Sequence, residues 1–230
     1  MLYLVPTPLG NLEDMTPRAI RALRESAAVY CEDTRRTRAL MSHFGIQRPL
    51  LRYNEQDERD SRQMLEKLQA GENLSLVSDG GLPAVSDPGR KIVALARKAG
   101  LPVTALPGPS AVTAAVAGSG LPADSFIFLG FLSRSPGKQK KALTEAAALG
   151  RTLVIYESPF RVKALLEHAE EALGPQAQAC VVRELSKIHE EWLSGTVAQV
   201  RETLSKREEL LGEFVVMLHP DKEDQHVGHH

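Results

Sequence analysis

The chain has 230 residues, of which 43% are hydrophobic and 25% are charged, and its formal net charge is −1. This length accommodates one large or two modest domains, and the near-zero charge excludes a protein that binds nucleic acid unselectively. No apolar run approaches the roughly 20 residues that span a bilayer, and the start of the chain lacks the basic segment of a secretory signal, so we expect a cytoplasmic protein with no membrane contact.

Strand-like and helix-like segments alternate through the first half of the chain. Short apolar runs predict strands at residues 2–5, 27–31, 50–53, 74–77 and 103–106, and amphipathic stretches predict helices at residues 17–26, 35–43, 57–70, 88–99 and 109–117. Such alternation is typical of a mainly parallel sheet with helices on both faces.

The segment Gly118–Pro122 interrupts this alternation and indicates a linker. Beyond it, strands are predicted at residues 126–131, 152–156, 179–185, 191–196 and 213–219, and helices at residues 138–148 and 159–173. We therefore expect an α/β protein with a parallel-sheet N-terminal domain at residues 1–118, a mixed-sheet C-terminal domain at residues 123–220 and a disordered tail at residues 221–230.

The cysteines and histidines give no sign of a metal or a disulfide. Cys31 and Cys180 are far apart in apolar runs, which is typical of buried free thiols, and the histidines are scattered. We predict no metal site.

Four predicted strands are followed by loops rich in glycine or proline. These loops begin at Pro6, Ser78, Pro107 and Glu157. Loops of this kind gather at one edge of an α/β sheet, where they favour a crevice for a small polar molecule. Neither a P-loop nor a G-x-G-x-x-G motif is present, so the usual nucleotide sites are not supported.

The second of these loops is the most informative. Gly80 and Gly81 let backbone amides approach a ligand, and Asp87-Pro88 predicts the cap and first residue of the following helix. An ordinary strand-to-helix connection is the alternative.

Basic residues form two clusters on this near-neutral chain. One contains Arg35, Arg36 and Arg38, and the other runs from Arg134 to Lys141. Such patches favour selective contact with a phosphate backbone, and a solvated helical face is the alternative for each.

Six motifs follow one another along almost the whole chain. They are Leu2–Thr16, Cys31–Thr37, Val77–Pro83 with Ser86–Gly89, Leu106–Ala111, Phe128–Leu132 and Glu157–Arg161. In this order they resemble the ribosomal small-subunit RNA methyltransferase I family, which belongs to the tetrapyrrole-methylase-like, or class III, methyltransferases.

The resemblance implies a two-domain tetrapyrrole methylase-like fold with S-adenosylmethionine bound between the domains, a homodimer, and 2′-O-methylation of a cytidine ribose in the decoding region of 16S rRNA in the small ribosomal subunit. The residues implied to bind the donor are Pro8, Leu9, Asp79, Gly80, Gly81, Leu82, Pro83, Ser110, Ala111, Tyr156, Glu157 and Ser158. Gly80 and Leu82 replace the alanine and threonine usual in the family, and no histidine precedes Asn54-Glu55, which weakens a histidine base there.

Methyl transfer to a ribose hydroxyl needs a group that accepts the hydroxyl proton. We expect this base among Glu32, Asp33 and Glu55, and weigh Glu157, Glu184 and His189 as further candidates; a helix cap or a surface ion pair is the alternative for each carboxylate. The residues expected to contact RNA are Arg35, Arg36, Arg38 and Arg161.

Two other functions stay open from the sequence. One is a class III methyltransferase that acts on a tetrapyrrole or another small molecule, and the other is a non-catalytic ribosome-associated factor that binds RNA. Binding of S-adenosylmethionine would separate an enzyme from a non-catalytic factor.

Overall fold

The computed structural model describes residues 1–220, so the tail predicted at residues 221–230 lies outside the described part of the chain. The chain divides into two compact α/β units, Met1–Ser110 and a second unit that begins at Ala111. The boundary expected at residues 118–123 thus lies one helix later than the division between the units.

The first unit is a five-stranded parallel sheet with helices on both faces. Its strands are β1 Leu2–Val5, β2 Ala28–Cys31, β3 Leu50–Arg52, β4 Leu74–Val77 and β5 Val103–Ala105, in the order β3-β2-β4-β1-β5. Its helices are α1 Pro17–Glu25, α2 Thr34–His43, α3 Glu58–Gln69 and α4 Arg90–Lys98, with a short 3-10 helix at Leu12–Asp14.

Two hydrophobic clusters explain why β2 and β4 are buried along their whole length. Met64 of α3 and Ile92 of α4 pack on one face of the sheet, and Leu23 of α1 and Met41 of α2 pack on the other. Because every strand runs in the same direction, the loops that follow the strands meet at one edge.

The second unit is a mixed five-stranded sheet. Its strands are β6 Phe126–Phe131, β7 Thr152–Glu157, β8 Gln178–Arg183, β9 Glu191–Thr196 and β10 Phe214–His219, in the order β6-β7-β10-β8-β9. Its helices are α5 Ala111–Gly118, α6 Pro136–Ala147, α7 Val162–Leu173 and α8 Val197–Ser205. β6 and β7 are parallel and the other pairs are antiparallel, so β6, β7 and β8 end at the same edge. The predicted α/β fold with a parallel and a mixed sheet is confirmed.

Helix α5 belongs to the second unit because its apolar side chains pack there. Val112, Ala115 and Val116 share a buried cluster with Val215 and Met217 of β10. The alternation of strand and helix in the sequence continues through residue 117 and carries no sign of this change of partner.

Helix α8 was not predicted, although its start carries a local signal. The Thr196 hydroxyl accepts the N–H of Gln199, and the Gln199 side chain accepts the N–H of Thr196, which makes a capping box. Among residues 1–220, no helix is both long and apolar enough to cross a membrane.

Candidate functional site

Two loops at the carboxyl edge of the first sheet are joined backbone to backbone. Thr7, after β1, and Gly81, after β4, exchange two hydrogen bonds with N···O distances of 2.9 and 2.8 Å. The buried Thr7 hydroxyl donates to the carbonyl of Ser78 at 3.0 Å, and the Ser78 hydroxyl donates to the carbonyl of Gly81 at 2.9 Å. Because buried polar groups need partners, these bonds hold the two loops as one rigid wall.

The glycines of the β4 loop fit this wall closely. Gly81 has φ of +87°, and a Cβ there would lie 3.3 Å from Cδ2 of Leu9. A Cβ on Gly80 would lie 3.5 Å from the carbonyl oxygen of Pro8. The N–H of Gly81 is donated to Thr7, so Gly81 shapes the wall, whereas the sequence led us to expect that its amide approaches a ligand.

The loop after β5 packs against the same wall. A Cβ on Gly108 would lie 2.5 Å from Cγ of Pro6, so the two loops are in direct contact. The carbonyl oxygen of Pro109 lies 3.8 Å from where a Cβ of Gly81 would stand. The structure therefore brings together the three loops of this unit that were predicted to bind the donor, which carry Pro8, Leu9, Asp79, Gly80, Gly81, Leu82, Pro83 and Ser110.

Asp79 and Arg36, which the sequence placed in separate sites, lie side by side. Nη1 of Arg36, on α2, is 3.5 Å from Oδ2 of Asp79, and the two side chains are 66% and 34% exposed. Ion pairs this open contribute at most about 1 kcal/mol, so either partner can leave the pair for a ligand. The predicted RNA-binding arginine is thus adjacent to a predicted donor-binding acid.

Asp33 is the N-cap of α2 rather than a free acid. Its Oδ1 accepts the N–H of Arg35 at 2.8 Å, and its Oδ2 is 3.1 Å from Nη2 of Arg35. These side-chain and backbone hydrogen bonds from Arg35 lower the pKa of Asp33 to about 2. A carboxylate with so low a pKa is a weak proton acceptor, and Arg35 is engaged with it.

Glu55 also caps a helix. Its Oε2 accepts the N–H of Gly89 at 2.9 Å, and its Oε1 accepts the N–H of Lys91 at 2.7 Å, at the start of α4. The expectation that Asp87-Pro88 caps this helix is wrong, because α4 begins at Arg90 with Gly89 as its N-cap. A carboxylate distant in sequence supplies the negative charge that a helix N-terminus favours.

Glu32 is the one predicted base whose carboxylate is not engaged. It follows directly after β2, is exposed, and takes part in no hydrogen bond or ion pair among residues 1–220. Its position places it at the carboxyl edge of the first sheet, one residue before the cap of α2.

Arg38 lies on a groove of about 230 Å³ that is also lined by Ser42, Gln47 and Arg48. Arg48 donates to the carbonyl of Arg24 at 2.6 Å, whereas the exposed side chain of Arg38 makes no hydrogen bond or ion pair among residues 1–220. The Arg38 guanidinium therefore has no partner within the described part of the chain, and its contact with RNA stays a prediction.

In the second unit, Glu157 and Arg161 join the loops that follow β6 and β7. The carboxylate of Glu157 is buried; Oε1 accepts the N–H of Ser158 at 2.8 Å, and Oε2 lies 3.2 Å from Nη2 of Arg161. The same Nη2 donates to the carbonyl of Leu132 at 2.9 Å and lies 3.3 Å from that of Ser133. Since a buried carboxylate needs a charged partner, Arg161 stabilises Glu157 here, and its contact with RNA stays a prediction.

A second ion-paired cluster of this unit, around Lys187, was not predicted from the sequence. Nζ of Lys187 lies 2.8 Å from both Glu184 and Glu213, and Glu184 and Ser186 have φ of +54° and +62°. Burial lowers the pKa of Lys187, but the hydrogen bonds to the two carboxylates outweigh burial and raise that pKa above its usual value. Lys187 therefore stays an ammonium. Glu184, weighed above as a base, is thus held in an ion pair.

Comparison with known proteins identifies the family of the chain. Residues 1–201 match the model of the tetrapyrrole (corrin/porphyrin) methylases. The chain is 43% identical to a ribosomal RNA small subunit methyltransferase I from Xylella fastidiosa over 94% of the chain and 80% of that protein. It is 41% identical to one from a Hydrogenobaculum species over 94% of each.

A solved structure shares the fold at lower identity. Uroporphyrin-III C-methyl transferase from Thermus thermophilus, complexed with S-adenyl homocysteine, has a TM-score of 0.65 and 22% identity over 94% of this chain and 96% of that one. The family model matches most of the chain, and the identity to these relatives exceeds 40% over 94% of it. The chain therefore belongs to the tetrapyrrole methylase family, and within it to the ribosomal RNA small subunit methyltransferase I group.

Proposed function

We propose that this protein transfers a methyl group from S-adenosylmethionine to the 2′-oxygen of a cytidine ribose in the decoding region of 16S rRNA. The observation that supports it most directly is the 40–44% identity to relatives named ribosomal RNA small subunit methyltransferase I. We further propose that it acts in the cytoplasm as a homodimer on the small ribosomal subunit.

The wall of loops in the first unit fits such a donor. Its closely packed backbone, with Leu9 beside Gly81, suits the uncharged adenosine, and the partly exposed Asp79 carboxylate suits a cationic or hydroxyl-bearing part of the ligand. The related structure complexed with S-adenyl homocysteine supports the same donor, because S-adenosyl homocysteine is what S-adenosylmethionine becomes after methyl transfer. When bound, S-adenosylmethionine supplies an electrophilic methyl group.

Glu32 is the residue we assign as the proton acceptor. Its carboxylate has no hydrogen-bond or ion-pair partner within residues 1–220, whereas Asp33 and Glu55 cap helices. As the 2′-oxygen forms its bond to the methyl carbon, the carbon–sulfur bond breaks with its electrons on sulfur, and the hydroxyl proton passes to Glu32. Arg36 and Arg38 hold neighbouring phosphates and so orient the ribose.

The test is methylation of small ribosomal subunits that lack this modification. We expect a methyl group on one cytidine ribose, detected by mass spectrometry and by resistance of that linkage to alkaline cleavage. Glu32→Gln should lower the rate about 100-fold or more, whereas the exposed Glu66→Gln should not change it.

Two outcomes would contradict the proposal. A methyl group on a nucleobase would refute the assignment of the ribose oxygen. No methyl group on RNA, together with methylation of a tetrapyrrole, would favour the small-molecule alternative.

A further inference from the structure

Two phenylalanine side chains stand exposed at one edge of the second sheet. Phe131 ends β6 and is 60% exposed, and Phe160 follows β7 and is 89% exposed. β6 and β7 are parallel neighbours, with Phe131 opposite Tyr156, so both phenyl rings belong to the same edge. We call Phe131 and Phe160 the phenyl pair. Exposed aromatic side chains on one edge are a feature of interaction sites rather than of plain surface.

The backbone beneath the phenyl pair is held rigidly. Arg161 links the two loops through the carbonyl of Leu132, and its own N–H donates to the carbonyl of Ser158 at 3.1 Å, which closes the turn that carries Phe160. The ring of Phe131 also contacts that of Tyr156 edge to face, at 5.6 Å between centroids. Such rigidity lowers the entropy cost of binding to an exposed ring.

The charges beside the phenyl pair indicate what kind of ligand fits it. Arg134 and Lys138 follow Phe131 within seven residues and are exposed, and their side chains form no hydrogen bond or ion pair among residues 1–220. By contrast, Lys140 and Lys141, further along α6, are paired with Glu171 and Glu145.

Free cations next to exposed aromatic rings suit a ligand that has flat bases and phosphates. Unpaired RNA stacks its bases on aromatic side chains and places its phosphates against arginine and lysine. A purely apolar protein partner would gain nothing from two unpaired cations. The surface therefore fits single-stranded RNA better than an apolar partner.

We propose that the phenyl pair stacks unpaired bases of the RNA substrate while Arg134 and Lys138 contact the adjacent phosphates. This proposal rests on the proposed function, because it assigns to the second unit a share in binding the same RNA. It also explains why the turn after β7 is held by a buried ion pair between Glu157 and Arg161.

The test is the affinity of the full chain for a fluorescent single-stranded RNA, measured by anisotropy without methyl donor. Phe131→Ser and Phe160→Ser should each weaken binding about tenfold, and Phe160→Trp should preserve it. Leu149→Ser, which removes another exposed apolar side chain of this unit, should have no effect. A fully paired RNA duplex should bind all these variants equally, since it offers no free base to stack.

The basic residues give a second measurement. Replacing both Arg134 and Lys138 by alanine should weaken binding and flatten its salt dependence, whereas the serine variants of the phenyl pair should keep the parental salt dependence. Unchanged affinity in Phe131→Ser and Phe160→Ser would overturn the proposal. So would a change of sedimentation with RNA affinity unchanged, which would assign this edge to contact between two copies of the chain.

Methylation assays on the same variants separate this proposal from the proposed function. If the parent methylates the small subunit but the phenyl pair has no effect on RNA affinity, only the stacking proposal fails. If the parent methylates no RNA while the serine variants still lose affinity for single-stranded RNA, the proposed reaction fails and the RNA surface stands.

Discussion

Individual acidic residues in this protein differ in the hydrogen bonds and ion pairs that their carboxylates form. Asp33 and Asp57 share one pattern, in which an aspartate caps a helix and pairs with the arginine two residues later. Hydrogen bonds from Arg35 and Arg59 lower the pKa of each aspartate to about 2. Glu32, adjacent to Asp33, has no such partner among the described residues. The sequence groups Glu32 and Asp33 together, but only the three-dimensional contacts separate a cap from a candidate base.

This arrangement predicts a specific loss of stability in acid. The charged forms of Asp33 and Asp57 are favoured in the folded state, so their stabilisation is complete above about pH 4, the ordinary aspartate pKa, and is lost as the pH falls through about 2. The variant Asp33→Asn/Asp57→Asn should therefore lose less stability than the parent between pH 6 and pH 3, as measured by urea unfolding. Asp124→Asn, an exposed control, should follow the parent. Identical pH dependence in all three proteins would show that the two caps do not stabilise the fold.

At the scale of elements, the start of α4 shows what a local sequence pattern cannot supply. Asp87-Pro88 is a strong helix-start signal, yet the helix begins at Arg90 and its N–H groups are capped by Glu55. The cap comes from a residue more than thirty positions earlier, so no local window contains it. By contrast, the predicted bounds of β1, β4 and β9 agree with the structure, and β1 and β4 are short runs rich in leucine and valine.

Glu55 gives a test that separates a cap from a catalytic base. Glu55→Ala removes both acceptors at the start of α4 and should lower the free energy of unfolding by about 1–3 kcal/mol, as measured by urea denaturation. Glu66→Ala, on the exposed surface of α3, should change it by less than about 0.5 kcal/mol. The fraction of the Glu55→Ala variant that stays folded should still methylate RNA. Loss of methylation at parental stability would instead make Glu55 the base.

Gly81 belongs to the same scale, because it joins two loops. With φ of +87° and Cδ2 of Leu9 3.3 Å from its Cβ position, Gly81→Val should destabilise the fold by about 1–3 kcal/mol and also weaken donor binding in calorimetric titration. Gly45→Ala is the matched control: its φ is +61° but nothing lies within 4 Å of the added Cβ, so only backbone strain is expected and donor affinity should stay parental. Parental donor affinity in Gly81→Val would remove this wall from the donor site.

At the scale of the whole molecule, the family and the two kinds of sheet are evident from the sequence because six motifs and the strand–helix alternation span the chain. The division between the two units is not evident from the sequence, because α5 continues the alternation of strand and helix but packs on β10. The roles of charged residues are the least predictable. Arg161 is the last residue of a family motif and forms an ion pair with Glu157, and Arg36 contacts Asp79, because ion pairing depends on which loops meet in space.

The arginines of α2 allow RNA binding to be tested apart from donor binding. Arg36 forms one weak, exposed ion pair, and the side chain of Arg38 makes no hydrogen bond or ion pair among the described residues, whereas Arg35 is paired with Asp33. Each phosphate contact in a single strand contributes about 0.7 to the slope of log affinity against log salt, so Arg36→Ala/Arg38→Ala should flatten that slope by about 1.4. Arg62→Ala, an exposed residue of α3, should leave the slope unchanged, and donor affinity should be parental in both proteins. A parental slope in the double variant would show that α2 does not contact the RNA backbone. Loss of donor affinity without a change in slope would assign Arg36 to holding Asp79 in the donor site.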